Sequence, residues 1–225
     1  MPHMSGPRID AAVVCHTERL IAAAVAALLE ERQVVRSTAT TSSLTRLLSC
    51  LHRGVDVAVV FDGVDEDVSE LFEAIRHGGL DTPVLLVSPV IDAGLVAQAL
   101  EAGAAGMLPS SCSPELLCRS VIEARMGNAV VPTDIRAAVL EALRALRLRR
   151  HAARHRLSLL SGVDAHVLQA LSDGLTVTEI ARQMSLSPHT IRSHVRTLSD
   201  KLDVRGQLRI AAVGRSLIAA ARCAE

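Results

Sequence analysis

Two near-continuous apolar runs, at residues 55–61 and 83–88, constrain the fold more than any other feature of this chain. A strand that is apolar at successive positions buries both faces, which happens in parallel sheets covered by helices on either side. Further β-type runs fall at 9–14, 34–38 and 105–108, and helical patterns separate the five at 18–33, 41–53, 67–77 and 92–102. Gly78-Gly79 ends the third of these helices. Ser113-Pro114 joins an N-cap hydroxyl to proline in the first turn and opens a fifth helix to about residue 126. Five strand–helix units in succession predict an α/β domain, a doubly wound five-stranded parallel sheet. The working residues of such a sheet lie on loops at the C-terminal ends of its strands. Here those loops hold Cys15, His16, Asp62, Ser88, Ser110 and Cys112.

At 225 residues the chain has room for two modest domains, and 49% hydrophobic residues supply their cores. Phe61 and Phe72 are the only aromatics, which argues against a sugar site or a base-stacking platform. The longest apolar run, residues 20–29, is mostly alanine and too short to cross a bilayer, and no secretory signal opens the chain. Residues 1–7 read as a flexible leader. Five scattered cysteines, an odd number, point to a reduced, cytoplasmic protein without a disulfide framework.

The net charge of zero conceals an asymmetry. Residues 1–135 carry 9 cationic and 17 anionic side chains, a net of −8, and residues 136–225 carry 15 and 7, a net of +8. A basic half of this kind suits a polyanionic partner. Lys201 is the one lysine among 24 cations.

The acidic half has no Gly-rich phosphate loop after a strand, no nucleophile elbow and no zinc-protease spacing, so an enzyme is not expected. Asp62 directly follows a central strand, and with Asp65, Glu66 and Asp67 it reads as a solvated turn and helix start. The order and spacing of these units, with the runs at 57–62, 84–88 and 99–106, resemble the receiver domain of bacterial response regulators over about residues 8–128. That resemblance implies an acidic pair for Mg²⁺ after the first strand, a phospho-accepting aspartate after the third, a hydroxyl after the fourth and a lysine after the fifth. This chain has Cys15, His16 and Thr17 for the acidic pair, and Pro109 and Ser110 for the lysine. Asp62 stands one place late, with Phe61 in the acceptor's place, and Ser88 alone matches. Phosphoryl transfer needs a metal and a cation against the charge on its oxygens, and sulfur and imidazole serve Mg²⁺ poorly. Cys15, His16, Asp62, Ser88 and Ser110 therefore read as a degenerate phosphorylation pocket.

Residues 129–156 read as a helical basic linker. Ala137, Leu140, Leu143 and Leu148 suggest its apolar stripe, beside a cluster of Arg147, Arg149, Arg150, Arg154 and Arg156. Beyond it, Asp173-Gly174 stops a helix at 163–172, and Thr176-Val-Thr-Glu179 is a capping box that opens the next. Ser187-Pro188 then starts a helix to about 202, with Ile191, Val195, Leu198 and Leu202 on one stripe and Arg192, Ser193 and Arg196 off it. Two helices joined by a tight turn, the second exposing arginines one turn apart, have helix-turn-helix geometry.

Residues 157–225 then form the second domain. Over about 157–221 it resembles the LuxR-type (NarL/FixJ-type) helix-turn-helix domain, through Leu171, Gly174, Glu179-Ile180-Ala181, Leu186-Ser187, Thr190-Ile191, His194-Val195, Lys201-Leu202 and Val204-Arg205. Gly162-Val163-Asp164 departs from the family's Pro-Arg-Glu run. The resemblance implies base contacts from Arg192, Ser193 and Arg196. It implies phosphate contacts from Arg182, Ser187, Thr190, Lys201 and Arg205, and a dimer contact from the last helix, 207–222. The chain as a whole is thus expected to be a homodimeric, sequence-specific transcription regulator on double-stranded DNA, with no cofactor and no membrane attachment. Its receiver is expected to work without phosphorylation, under a small-molecule ligand or a protein partner. Two alternatives remain open: a conventional regulator phosphorylated on Asp62 by a histidine kinase, and a metal or redox sensor built from Cys15, His16 and Cys112.

Overall fold

The structure, a computed structural model, describes residues 9–61 and 82–222. The leader at 1–7, Asp62 and the acids after it, and the helix expected at 67–77 lie outside the described residues. The chain forms two compact units that divide between Arg144 and Ala145.

The first unit holds β1 (Ile9–Cys15), β2 (Val35–Thr41), β3 (Val57–Phe61), β4 (Val84–Ser88) and β5 (Gly106–Pro109). They pair in parallel in the order β2-β1-β3-β4-β5, the expected five-stranded sheet. Its described helices are α1 (Arg19–Glu31), α2 (Leu44–Leu51), α3 (Ala93–Glu101) and α4 (Pro114–Arg125). Val57, Val59, Leu85 and Val87 are buried in the core with Leu29, Leu117 and Val121, as all-apolar central strands require.

One boundary differs from the sequence pattern. The stretch Thr38 to Thr41 was expected to pass from strand into helix, yet β2 continues to Thr41, in register with Cys15. Ser43 decides the matter: its hydroxyl accepts the Arg46 N–H at 3.4 Å, so α2 cannot begin before Leu44. Both edges of the sheet are engaged. On β2 the Thr38 N–H donates to Glu30 Oε1 at 2.6 Å. Beside β5 the Met107 N–H donates to the Val130 carbonyl at 3.0 Å. Gly106 permits that approach, since a Cβ there would lie 2.6 Å from the Cβ of Val130.

A 3₁₀ turn, Thr133–Ile135, leads into α5 (Arg136–Ser158), and the second unit continues with α6 (Gly162–Ser172), α7 (Val177–Gln183), α8 (Pro188–Leu202) and α9 (Gln207–Arg222). The stripe read from the sequence of α5 is not the buried one. Leu140 and Leu148 are exposed, and Val139 and Ala153 are buried instead. The core of this unit joins Val167, Leu168, Leu171, Ile180, Ile191, Leu198, Leu202 and Ile210. Helix α9 lies close on α6 at Gly214, where a Cβ would stand 2.7 Å from Leu168 Cδ1. Among the described residues no helix is long and apolar enough to cross a membrane.

Candidate nucleic-acid interface

Helix α7 opens on the capping box. The Thr176 hydroxyl accepts the Glu179 N–H at 3.4 Å, and the Glu179 carboxylate accepts the Thr176 N–H at 2.8 Å and its hydroxyl at 2.7 Å. Those bonds from Thr176 hold the Glu179 carboxyl below the usual range. The turn that follows is a Schellman motif. The Leu186 N–H donates to the Ala181 carbonyl at 2.9 Å and the Ser185 N–H to that of Arg182 at 3.3 Å, with Ser185 left-handed at φ 55°.

Helix α8 begins on Ser187, whose hydroxyl accepts the Thr190 N–H at 3.0 Å and lies 2.8 Å from Thr190 Oγ1, with Pro188 in its first turn. Ile191, Leu198 and Leu202 bury one side of α8 and Val195 is half-buried. Arg192, Ser193 and Arg196 are exposed, and neither guanidinium bonds or pairs with another described residue. Arg182, Ser187 and Arg205 are exposed as well, Arg182 lying beside Glu179, and Thr190 is half-buried.

Lys201 is differently placed. Two of its three N–H donors go to the carbonyl of Leu159 at 3.3 Å and to Asp164 Oδ2 at 2.9 Å. Asp164, on α6, is 3% exposed, and its other oxygen meets His194 Nδ1 at 2.8 Å. Burial pushes this carboxyl up, but hydrogen bonds from His194, Lys201 and Ser161 outweigh that and bring it down to about 2. Sequence reasoning passed over Asp164 as a local departure. Its one local sign is a carboxylate in a first turn behind Ser161, which caps α6 by accepting the Asp164 N–H at 3.1 Å.

In the first unit, parallel pairing brings the strand ends side by side: Cys15 is level with Val60, Phe61 with Val87, and Ser88 with Pro109. Cys15 is fully buried. His16 lies 5.0 Å from the Phe61 ring, and its Nδ1 accepts the Glu18 N–H at 2.8 Å. The buried Ser88 hydroxyl accepts the Val90 N–H at 3.3 Å, and the exposed Ser110 donates its N–H to the Ser88 carbonyl at 2.8 Å. Cys112 is half-buried, and desolvation pushes its thiol up. The metal-sensor alternative needed Cys15, His16 and Cys112 together. Among the described residues no three His, Cys, Asp or Glu side chains come close enough to hold a metal, so these three do not converge.

A capped helix, a tight turn and a second helix with one bare, arginine-bearing side make the second unit a helix-turn-helix module, joined in one chain to a doubly wound α/β module. Residues 158–213 match the model for bacterial regulatory proteins of the luxR family. The transcriptional regulatory protein UhpA of Escherichia coli (strain K12) is 32% identical over 161 residues, 71% of this chain and 74% of that protein. The probable transcriptional regulatory protein NarL of Mycobacterium tuberculosis (strain ATCC 25618 / H37Rv) is 30% identical over 151 residues, 67% of this chain and 66% of that protein. A solved signal receiver domain of a response regulator NarL from Mycobacterium tuberculosis superposes with a TM-score of 0.50 at 25% identity, covering 54% of this chain and 100% of its own. The chain belongs to the luxR family of bacterial regulatory proteins and is a DNA-binding transcription regulator with a receiver-like first unit.

Proposed function

We propose that α8 enters the major groove of duplex DNA and reads sequence through Arg192, Ser193 and Arg196. The observation that carries this is the pair of unengaged guanidinium groups, one turn apart, on a helix whose other side is buried. A planar guanidinium matches the two acceptors that guanine presents in that groove. Arg182, Ser187, Thr190 and Arg205 supply phosphate contacts around it, and Lys201 has one donor left for the same purpose. As a homodimer the protein would span two half-sites one helical turn apart.

The receiver-like unit, residues 8–128, serves in this reading as a degenerate receiver. A linker at 129–156 joins it to the DNA-binding domain at 157–225. At its strand ends Cys15, His16 and Ser110 stand where carboxylates and a lysine would serve a phosphoryl group. Control then falls to a small ligand or a protein partner, and the chain acts in the cytoplasm and is not an enzyme. The test is selection of duplexes from a random-sequence pool by the full chain. Recovery of one recurrent motif, bound at least about a hundredfold more tightly than a scrambled duplex, is expected. Equal binding to both would end the proposal.

A further inference from the structure

We infer that the buried Asp164 carboxylate is the positioning residue of the groove-facing helix, holding α8 from behind so that Arg192 and Arg196 stand where the bases are. The inference rests on the DNA reading above and names the part of the unit that gives it accuracy. Asp164 belongs to α6, yet each of its oxygens meets a different residue of α8: Oδ1 meets His194 at 2.8 Å and Oδ2 meets Lys201 at 2.9 Å. Seven residues separate these two, about two helical turns, so they lie on one line along the helix. At roughly 100° per residue, His194 falls on the side of α8 opposite both Arg192 and Arg196. The hold is thus two-point and lies behind the reading residues.

Two points fix what the apolar side cannot. Ile191, Leu198 and Leu202 pack α8 onto the core, but burial is non-directional and tolerates rotation and sliding of the helix. Hydrogen bonds lose strength within a few tenths of an ångström and tens of degrees. A carboxylate that is 3% exposed and shared by two donors therefore sets register, the role for which buried polar groups are best attested. Lys201 accordingly acts as a partner of Asp164 before it acts on phosphate.

The experiment uses the full chain, the duplex recovered by selection, and a scrambled duplex of the same composition. Asp164→Asn is expected to cut the matched-to-scrambled affinity ratio by roughly tenfold, about one base contact's discrimination, with scrambled binding within about twofold of the unsubstituted chain. Asp164→Glu recovers part of the ratio, because a carboxylate returns. Lys201→Gln lowers the ratio in the same way. Equal weakening on both duplexes by Asp164→Asn, or an unchanged ratio, overturns the inference. So does a Lys201→Gln variant that leaves the ratio unchanged, whether or not losing its third donor also flattens the salt dependence. Loss of the folded unit in both variants, seen by circular dichroism, assigns Asp164 to fold stability and also overturns it. If the unsubstituted chain prefers no duplex, the DNA reading itself has failed, and that result stands apart because no substitution is involved.

Discussion

Leu186 donates its backbone N–H to the carbonyl of Ala181 at 2.9 Å, closing the turn between α7 and α8 and so fixing the angle at which the second helix leaves the first. That closure forces Ser185 to φ 55°, a conformation that glycine adopts without a steric penalty. Ser185→Gly is therefore expected to raise stability by up to about 1 kcal/mol, and Ser185→Val to lower it by at least that much. Urea unfolding followed by circular dichroism measures both, and a lower midpoint for Ser185→Gly would contradict the account.

Arg196 and Arg205 should respond differently to truncation. Arg196→Ala is expected to lose about 1–3 kcal/mol on the matched duplex and to relax the choice of base at one position. Arg205→Ala should weaken matched and scrambled duplexes alike and reduce the slope of log affinity against log salt by about one. Fluorescence titrations at several salt concentrations separate these outcomes, and identical behaviour of the two variants would refute the assignment.

Asp164 gives the second unit a pH dependence of definite sign. Its carboxyl sits at about 2 in the folded chain against an ordinary 3.8. A group whose pKa is lower when folded stabilises the fold above its unfolded value. That contribution is complete above pH 3.8, is lost as the pH falls through about 2, and amounts to about 2 kcal/mol. In Asp164→Asn this part of the acid dependence disappears. Thermal unfolding of both proteins between pH 2 and 6 tests it, and parallel curves would show that the bonds to His194 and Lys201 carry no such energy.

Incubation with acetyl phosphate and Mg²⁺ is expected to leave no acid-labile phosphate on the full chain, since Cys15 and His16 make poor ligands for a hard cation. Intact-mass measurement before and after acid treatment would detect an adduct. A stable one that vanishes in Asp62→Asn would restore the phosphorylated reading.

The features legible in the sequence are those decided by near neighbours. Ser113-Pro114, Ser187-Pro188 and the Thr176–Glu179 box each rest on bonds within three residues, and each cap forms as expected. The central strands were legible because burial on both faces leaves an unbroken apolar run. The β2 boundary was not, because a threonine run suits strand and turn alike and pairing with β1 settles it. In α5, leucines fall on several sides, so more than one stripe fits the pattern, and burial of Val139 and Ala153 chooses between them. Asp164 was hidden most deeply. Its partners are 30 and 37 residues away, and nothing in the sequence around Lys201, the lone lysine among arginines, signals that distant carboxylate.

The hydroxyls of Ser187 and Thr190 already face each other in the free protein. Ser187 occupies the Thr190 amide, in the first turn of α8, much as a phosphate oxygen would. A nucleotide arriving there exchanges partners and adds few bonds, so that contact releases little heat. What it gains comes from sodium or potassium ions shed by the duplex, a gain in disorder that disappears as the ionic strength of the solution rises.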